Sequence, residues 1–112
     1  MINGAHVIIY SRNAAADRAF FKDVLQFRSV DAHSGWLIFK LPPAEAAVHP
    51  SDQNDMHEVY LMTDDLDVEI QALEKAGASC DTVTQQSWGR VTRLKLPGGG
   101  TVGLYQPRHE RP

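Results

Sequence analysis

The sequence predicts an α+β fold in which two βαβββ repeats form a cupped mixed sheet with helices on its outer face. Three observations predict it. The stretch Glu58 to Gly77, EVYLMTDDLDVEIQALEKAG, reads as one strand, a capped turn and one amphipathic helix. His6 to Leu25, HVIIYSRNAAADRAFFKDVL, has the same layout at an offset of 52 positions, with His6 on Glu58, Val7 on Val59, Ile9 on Leu61 and Phe21 on Leu73. The later parts echo each other as well, WLIFKLPP at 36–43 matching VTRLKLPG at 91–98. Two helices with one apolar stripe each can bury them only against one side of a sheet, and the other side stays free to curve round a ligand.

Each element has a local cause. Residues 5–11 are rich in β-branched side chains and read as the first strand. Asn13 is placed to cap a helix running to about Gln26, in which Ala16, Phe20, Phe21, Val24 and Leu25 form a wide apolar stripe. Strands follow at 27–31 and 36–41, joined by the turn Ala32-His33-Ser34-Gly35, and Pro42-Pro43 breaks the second. A short fourth strand is expected at 45–49. The polar stretch PSDQND at 50–55 links the halves.

In the second half, residues 58–62 form a strand and Asp64 or Asp65 caps the next helix. Asp67 and Glu69 complement the positive end of that helix, and Leu66, Ile70 and Leu73 line one face. Gly77 ends it, because glycine takes the left-handed conformation without steric cost. Strands are expected at 79–84, 90–96 and 101–106, with Pro97-Gly98-Gly99-Gly100 turning before the last one. The tail RHERP is expected to fray.

With 112 residues the chain suits one domain, 1–112, repeat one covering about 4–50 and repeat two about 56–107. A formal charge of −3 and the lack of a basic stripe exclude nucleic acid or an anionic membrane as main partner. The one cysteine, Cys80, rules out an internal disulfide framework, reads as structural, and fits the cytoplasm. The apolar run of MINGAHVIIY is too short for a signal peptide or a membrane span.

The pieces HVIIYSRN…FFKDVLQF, EVYLMTDDLDVEIQALEKAGA and LPGGGTVGLYQP, in this order and at these distances, resemble the vicinal oxygen chelate superfamily of glyoxalases, bleomycin-resistance proteins and extradiol dioxygenases. The resemblance covers about Gly4 to Pro107. It implies paired βαβββ units whose sheets form an open cup over a metal or ligand, and a homodimer whose cups are completed across the interface.

Alternation along strands says which side chains enter the cup. They are His6, Ile8 and Tyr10 on the first strand, Glu58, Tyr60 and Met62 on its repeat, and Thr101, Gly103 and Tyr105 on the last. The resemblance implies four ligand positions in metal-binding members: His6, a site near Ala46 to Val48, Glu58 and Gly103. His6 and Glu58 suit a divalent ion such as Zn, Ni, Mn or Fe. Gly103 vacates a third position, which a glutamate would fill, and neither Ala46 nor Val48 can ligate. His49 and His57 lie on the wrong face by alternation unless a bulge turns His49 inward. Two protein ligands fall short of the three that zinc generally takes and of the two-histidine, one-carboxylate set of non-haem iron oxygenases.

Without a metal, His6 and Glu58 are the catalytic candidates, as a proton-transfer pair at repeat-related positions. Arg93 is the basic residue placed in the cup, where it can bind a carboxylate or phosphate bidentately; the plainer reading is a solvated strand arginine. Tyr10, Trp36, Tyr60, Met62 and Tyr105 would give the pocket aromatic and adaptable walls for a flat organic molecule, or an interface for a second copy. Trp88 reads as rim or lid, and His33 and His109 as residues without partners.

Two functions from different classes follow. One is a small-molecule binding protein of the glyoxalase/bleomycin-resistance/dioxygenase type, with its ligand in the cup and no obligatory metal. The other is a metal-dependent lyase, isomerase or extradiol-type dioxygenase using His6 and Glu58 with an incomplete ligand set.

Overall fold

The computed structural model describes residues 6–112. Its elements are α1 (Ala14–Asp23), β1 (Ser29–Asp31), β2 (Leu37–Phe39), β3 (Tyr60–Met62), α2 (Leu66–Lys75), β4 (Thr84–Gln86), β5 (Gly89–Lys95) and β6 (Thr101–Pro107). β1 and β2 form a two-stranded antiparallel sheet, and the other strands form a four-stranded sheet in the order β3-β6-β5-β4. Within it β3 runs parallel to β6, while β4–β5 and β5–β6 are antiparallel. The fold is mixed α+β, with an open sheet that does not close into a barrel.

The helix ends follow from single side chains. Asn13 Oδ1 accepts from the Ala16 amide at 3.1 Å, and Asp65 Oδ1 from the Val68 amide at 3.2 Å. At the C-terminus of α2, Gly77 takes φ +92°, its amide donates to Glu74 at 3.0 Å, and the Ala78 amide donates to Leu73 at 2.9 Å. These two bonds satisfy the last carbonyls in a Schellman motif. The turn between β5 and β6 closes with Gly99 at φ +99° and the Leu96 amide donating to Gly100 at 2.9 Å.

One apolar core lies under the four-stranded sheet. Phe20 and Phe21 of α1 and Leu66 and Leu73 of α2 pack with Leu94, Leu96, Val102 and Leu104. A buried carboxylate ties α1 to this layer: Asp17 Oδ1 accepts from the Gly98 amide at 2.7 Å. Both helices therefore cover one side of the sheet, as their stripes require.

Two expected strands are absent as paired strands. Residues 6–10 and 45–49 carry no ladder hydrogen bonds and are exposed. Their counterparts in the second half do pair, residues 60–62 with 103–105. The difference lies in the partner. Segment 45–49, EAAVH, is alanine-rich and closed in by Pro42, Pro43 and Pro50, which cannot donate to a ladder. The segment 6–10 thus lacks the neighbour that β6 provides for β3. The tail also departs from expectation. The Arg108 amide donates to Trp88 at 2.9 Å, and its guanidinium to Gln86 O and Gln85 Oε1, so the chain is held beyond β6. No helix among the described residues is long and apolar enough to cross a membrane.

Candidate functional site

The face of the four-stranded sheet away from the helices carries the candidate site, and strand register builds it. β6 is central, so Gly103 is flanked by Tyr60 on β3 and Arg93 on β5, and Tyr105 by Met62 and Val91. Alternation sends Val102 and Leu104 into the core and leaves Gly103 and Tyr105 on this face. A Cβ at Gly103 would fall within the Tyr60 ring, so that ring lies directly on the Gly103 backbone. Tyr60, Trp88 and Tyr105 meet edge to face, with ring centroids 6.1 Å (Tyr60–Trp88), 5.7 Å (Tyr60–Tyr105) and 5.2 Å (Trp88–Tyr105) apart. This is the preferred geometry for aromatic quadrupoles and makes a stiff, apolar wall. Gly89 makes room for it, since a Cβ there would strike the Gln106 carbonyl and press on the Tyr105 ring.

Each end of the wall is polar. At one end Arg93 donates from Nε and Nη2 to Thr101 Oγ1 at 3.1 and 2.9 Å. Its Nη1 lies 3.9 Å from Glu58 Oε2, and its Cζ stands 5.5 Å from the Tyr60 ring centroid. Burial, then hydrogen bonding to Glu58 and the negative charge of that carboxylate, push the Tyr60 hydroxyl above its ordinary pKa, with Arg93 pulling the other way. Beside Arg93 an open depression of about 470 Å³ is lined by Asp81, Thr82, Thr84, Val91 and Thr92.

At the other end Tyr105 Oη lies 3.2 Å from His109 Nε2, and His109 Nδ1 lies 2.8 Å from the Glu110 carbonyl. A carbonyl only accepts, so Nδ1 carries the hydrogen, and in the neutral ring Nε2 accepts from the tyrosine. Glu45 Oε2 stands 3.9 Å from the same Nε2. Burial, and then the charge of Glu45, raise the Tyr105 pKa.

The residues do not fit a family-type metal centre within one chain. Among the described residues no group of three or more His, Cys, Asp or Glu side chains could hold a metal ion. Glu58 Oε2 faces Arg93 Nη1 at 3.9 Å, on an exposed side chain. The Gly103 position is covered by the Tyr60 ring, which leaves no room for the glutamate that would complete a ligand set there. Residues 46–48 are exposed coil.

The structure brings Glu58, Tyr60, Arg93 and Tyr105 together, with Met62 opposite Tyr105 on the same register. It does not bring the others to them. Tyr10 is 91 % exposed, and Trp36 is 63 % exposed with the Arg18 guanidinium 4.8 Å from its ring centroid. His6 is exposed on the unpaired segment. Thr101 lies on the face that alternation assigns to it, and Trp88, read as rim or lid, stands in the wall; His109 and Glu45 join the site without having been expected in it. Trp88 follows from the β5–β6 register, which sets Gly89 opposite Pro107 and so places Trp88 beside the end of β6. His109 and Glu45 leave no sequence signal, since their contacts depend on how two coils meet.

No family model and no curated protein sequence matches the chain. Solved structures do. The chain is similar to lactoylglutathione lyase from Agrobacterium tumefaciens, at 15% identity and a TM-score of 0.65, covering 92% of each chain. It is similar to TnmS3, an antibiotic binding protein from Streptomyces sp. CB03234, at 20% identity and a TM-score of 0.59, covering 92% of this chain and 99% of that one. It is also similar to a glyoxylase/bleomycin resistance protein/dioxygenase domain from Frankia sp. EAN1pec, at 13% identity and a TM-score of 0.65, covering 96% and 99%. Strand order, helix placement and these likenesses together show that the chain has the fold of the vicinal oxygen chelate superfamily.

Proposed function

We propose that this protein binds a small organic molecule on the aromatic face of its second sheet, without an obligatory metal. The observation that supports this most is the Tyr60 ring seated on Gly103: the position that would otherwise offer a metal ligand is given over to an aromatic wall. A stiff apolar wall with polar groups at both ends is the usual make-up of a small-molecule site. The fold is shared with an antibiotic binding protein, which agrees with this reading. The proposed pocket residues are Tyr60, Met62, Arg93 and Tyr105, together with Trp88.

The same reading includes a homodimer in the cytoplasm. The chain exposes 8802 Å², against roughly 6,100 Å² for a compact monomer of its mass. Most of the large exposed apolar side chains lie in the first half, among them Val7, Ile8, Tyr10, Val30, Trp36 and Val48. The unpaired segments 6–10 and 45–49 offer backbone donors and acceptors to a second copy. In such a dimer Tyr10 and Trp36 of the partner would extend the pocket. Cys80, a free thiol with a pKa raised first by burial, fits a reducing compartment.

A titration with Ni²⁺, Zn²⁺, Mn²⁺ and Fe²⁺ on the wild type and His6→Ala tests the metal-free part. Weak binding unchanged by the substitution is expected. Stoichiometric, tight binding lost in His6→Ala would overturn it and restore the metal-dependent lyase or dioxygenase reading. Sedimentation equilibrium tests the dimer, and a monomer at micromolar concentration would exclude it.

A further inference from the structure

We propose that Arg93 is the anchor for the carboxylate of a planar aromatic monoanion, which lays its ring along the Tyr60 side of the aromatic wall. The proposal rests on the small-molecule reading above and names the class of ligand.

Of the five guanidinium N–H groups, Nε–H and one on Nη2 point at Thr101 Oγ1, which fixes the plane of the group. Nη1 takes no part in the bonds to Thr101, and the guanidinium's other neighbours are the Tyr60 hydroxyl and Glu58. The outer Nη1/Nη2 edge is a planar fork matched to two carboxylate oxygens. Its one charged neighbour, Glu58, stands at 3.9 Å, beyond hydrogen-bonding distance. Glu58 is 65 % exposed and Arg93 35 % exposed, so water reaches the pair and a better-placed carboxylate can displace it.

Shape and charge point to the same class. A bidentate carboxylate lies in the guanidinium plane, so the body of the ligand continues away from Thr101. The guanidinium reaches from β5 over β6 to Thr101 and Glu58 and stands 5.5 Å from the Tyr60 ring centroid, so the ligand's ring meets the aromatic wall and not the depression on the β4 side, which Asp81 lines. A stiff edge-to-face wall of this kind suits a flat one- or two-ring molecule. Arg93 is also the sole cation in the Arg93–Glu58–Tyr60 cluster, and Lys95 is committed to Asp81 at 3.6 Å. Glu58 already matches the one charge on Arg93, so the site takes a monoanion by releasing Glu58 to water, and a dianionic phosphate ester would stay under-neutralised even then.

The test uses 2-naphthoate and its neutral isostere 2-naphthamide, titrated by calorimetry. Trp88 fluorescence in a Trp36→Phe background reports where they bind. Naphthoate is expected to bind the wild type ~10-fold or more tightly than naphthamide, the scale of a charge-assisted bidentate contact. Arg93→Gln should abolish the preference, and Arg93→Lys, which keeps the charge and loses the fork, should lose most of it. Glu58→Gln should tighten naphthoate severalfold and leave naphthamide unchanged. Circular dichroism confirms that each variant is folded. Equal binding of the two compounds with Trp88 quenching would overturn the anionic anchor and leave the small-molecule reading standing. Binding of neither compound at millimolar concentration would overturn both.

Discussion

Tyr60 and Gly103 face each other across the parallel pair of β3 and β6, and the tyrosine ring fills the space that a side chain at 103 would need. An aromatic ring laid over a cross-strand glycine shields the bare backbone from water. Gly103→Ala is therefore expected to destabilise the fold by about 1–3 kcal/mol through overpacking. In Tyr60→Ala/Gly103→Ala the two effects should not add, because the ring that clashes is gone. Urea denaturation of the four proteins of this cycle gives the coupling. Gly103→Glu should lose stability and gain no metal affinity.

Asp17 holds α1 against the β5–β6 turn through the Gly98 amide, and a Cβ at 98 would strike Ser11 Oγ and stand 2.9 Å from Asp17 Oδ2. Asp17→Ala would leave that amide without its acceptor, at about 1–3 kcal/mol. Gly98→Ala should weaken the same joint by displacing Asp17. Both effects should appear as lower denaturation midpoints.

The Arg90 guanidinium lies 3.0 Å from Asp67 Oδ1 and holds that carboxyl below its ordinary pKa. A lowered folded-state pKa stabilises the protein above the unfolded value, and that contribution fades as pH falls through the folded one. A carboxyl titration by NMR should find Asp67 ionising below the usual aspartate range in the wild type. In Arg90→Gln it should return to that range, with loss of the matching part of the acid dependence of stability.

Tyr60 and Tyr105 are both raised, first by burial. Their neutral forms are favoured in the fold, so this stabilisation is full below the unfolded tyrosine pKa and is lost as pH rises through the folded values. Absorbance of tyrosinate should show two of the three tyrosines ionising late, and Tyr105→Phe should remove one of them. The same variant frees His109, and amide hydrogen exchange at residues 108–111 should quicken.

Wherever one stretch determines its own shape, the sequence was legible. Residues 58–77 contain a strand, its cap, an amphipathic helix and a C-terminal glycine, and all four are where the residues require them. The LPGGG turn sets β5 against β6, so Arg93 falls on the same face as Gly103 and Tyr105. Segment 6–10 was not legible in the same way. Its residues favour a strand as strongly as those of β3, but a strand exists only beside a partner, and EAAVH between prolines does not supply one. The Tyr105–His109–Glu45 contact was hidden for a related reason: it joins three places by tertiary packing alone.

The β3–β6 pairing also bears on how the molecule assembles. β4, β5 and β6 are joined by short turns, whereas Tyr60 and Gly103 are separated by 43 positions. Closing so long a loop comes late, after local contacts have formed. Mutations in the β5–β6 hairpin should slow folding, while those at Leu61 should act mainly on unfolding. The aromatic wall then comes into being in the same step that docks β3, so no half-folded chain presents the ligand face.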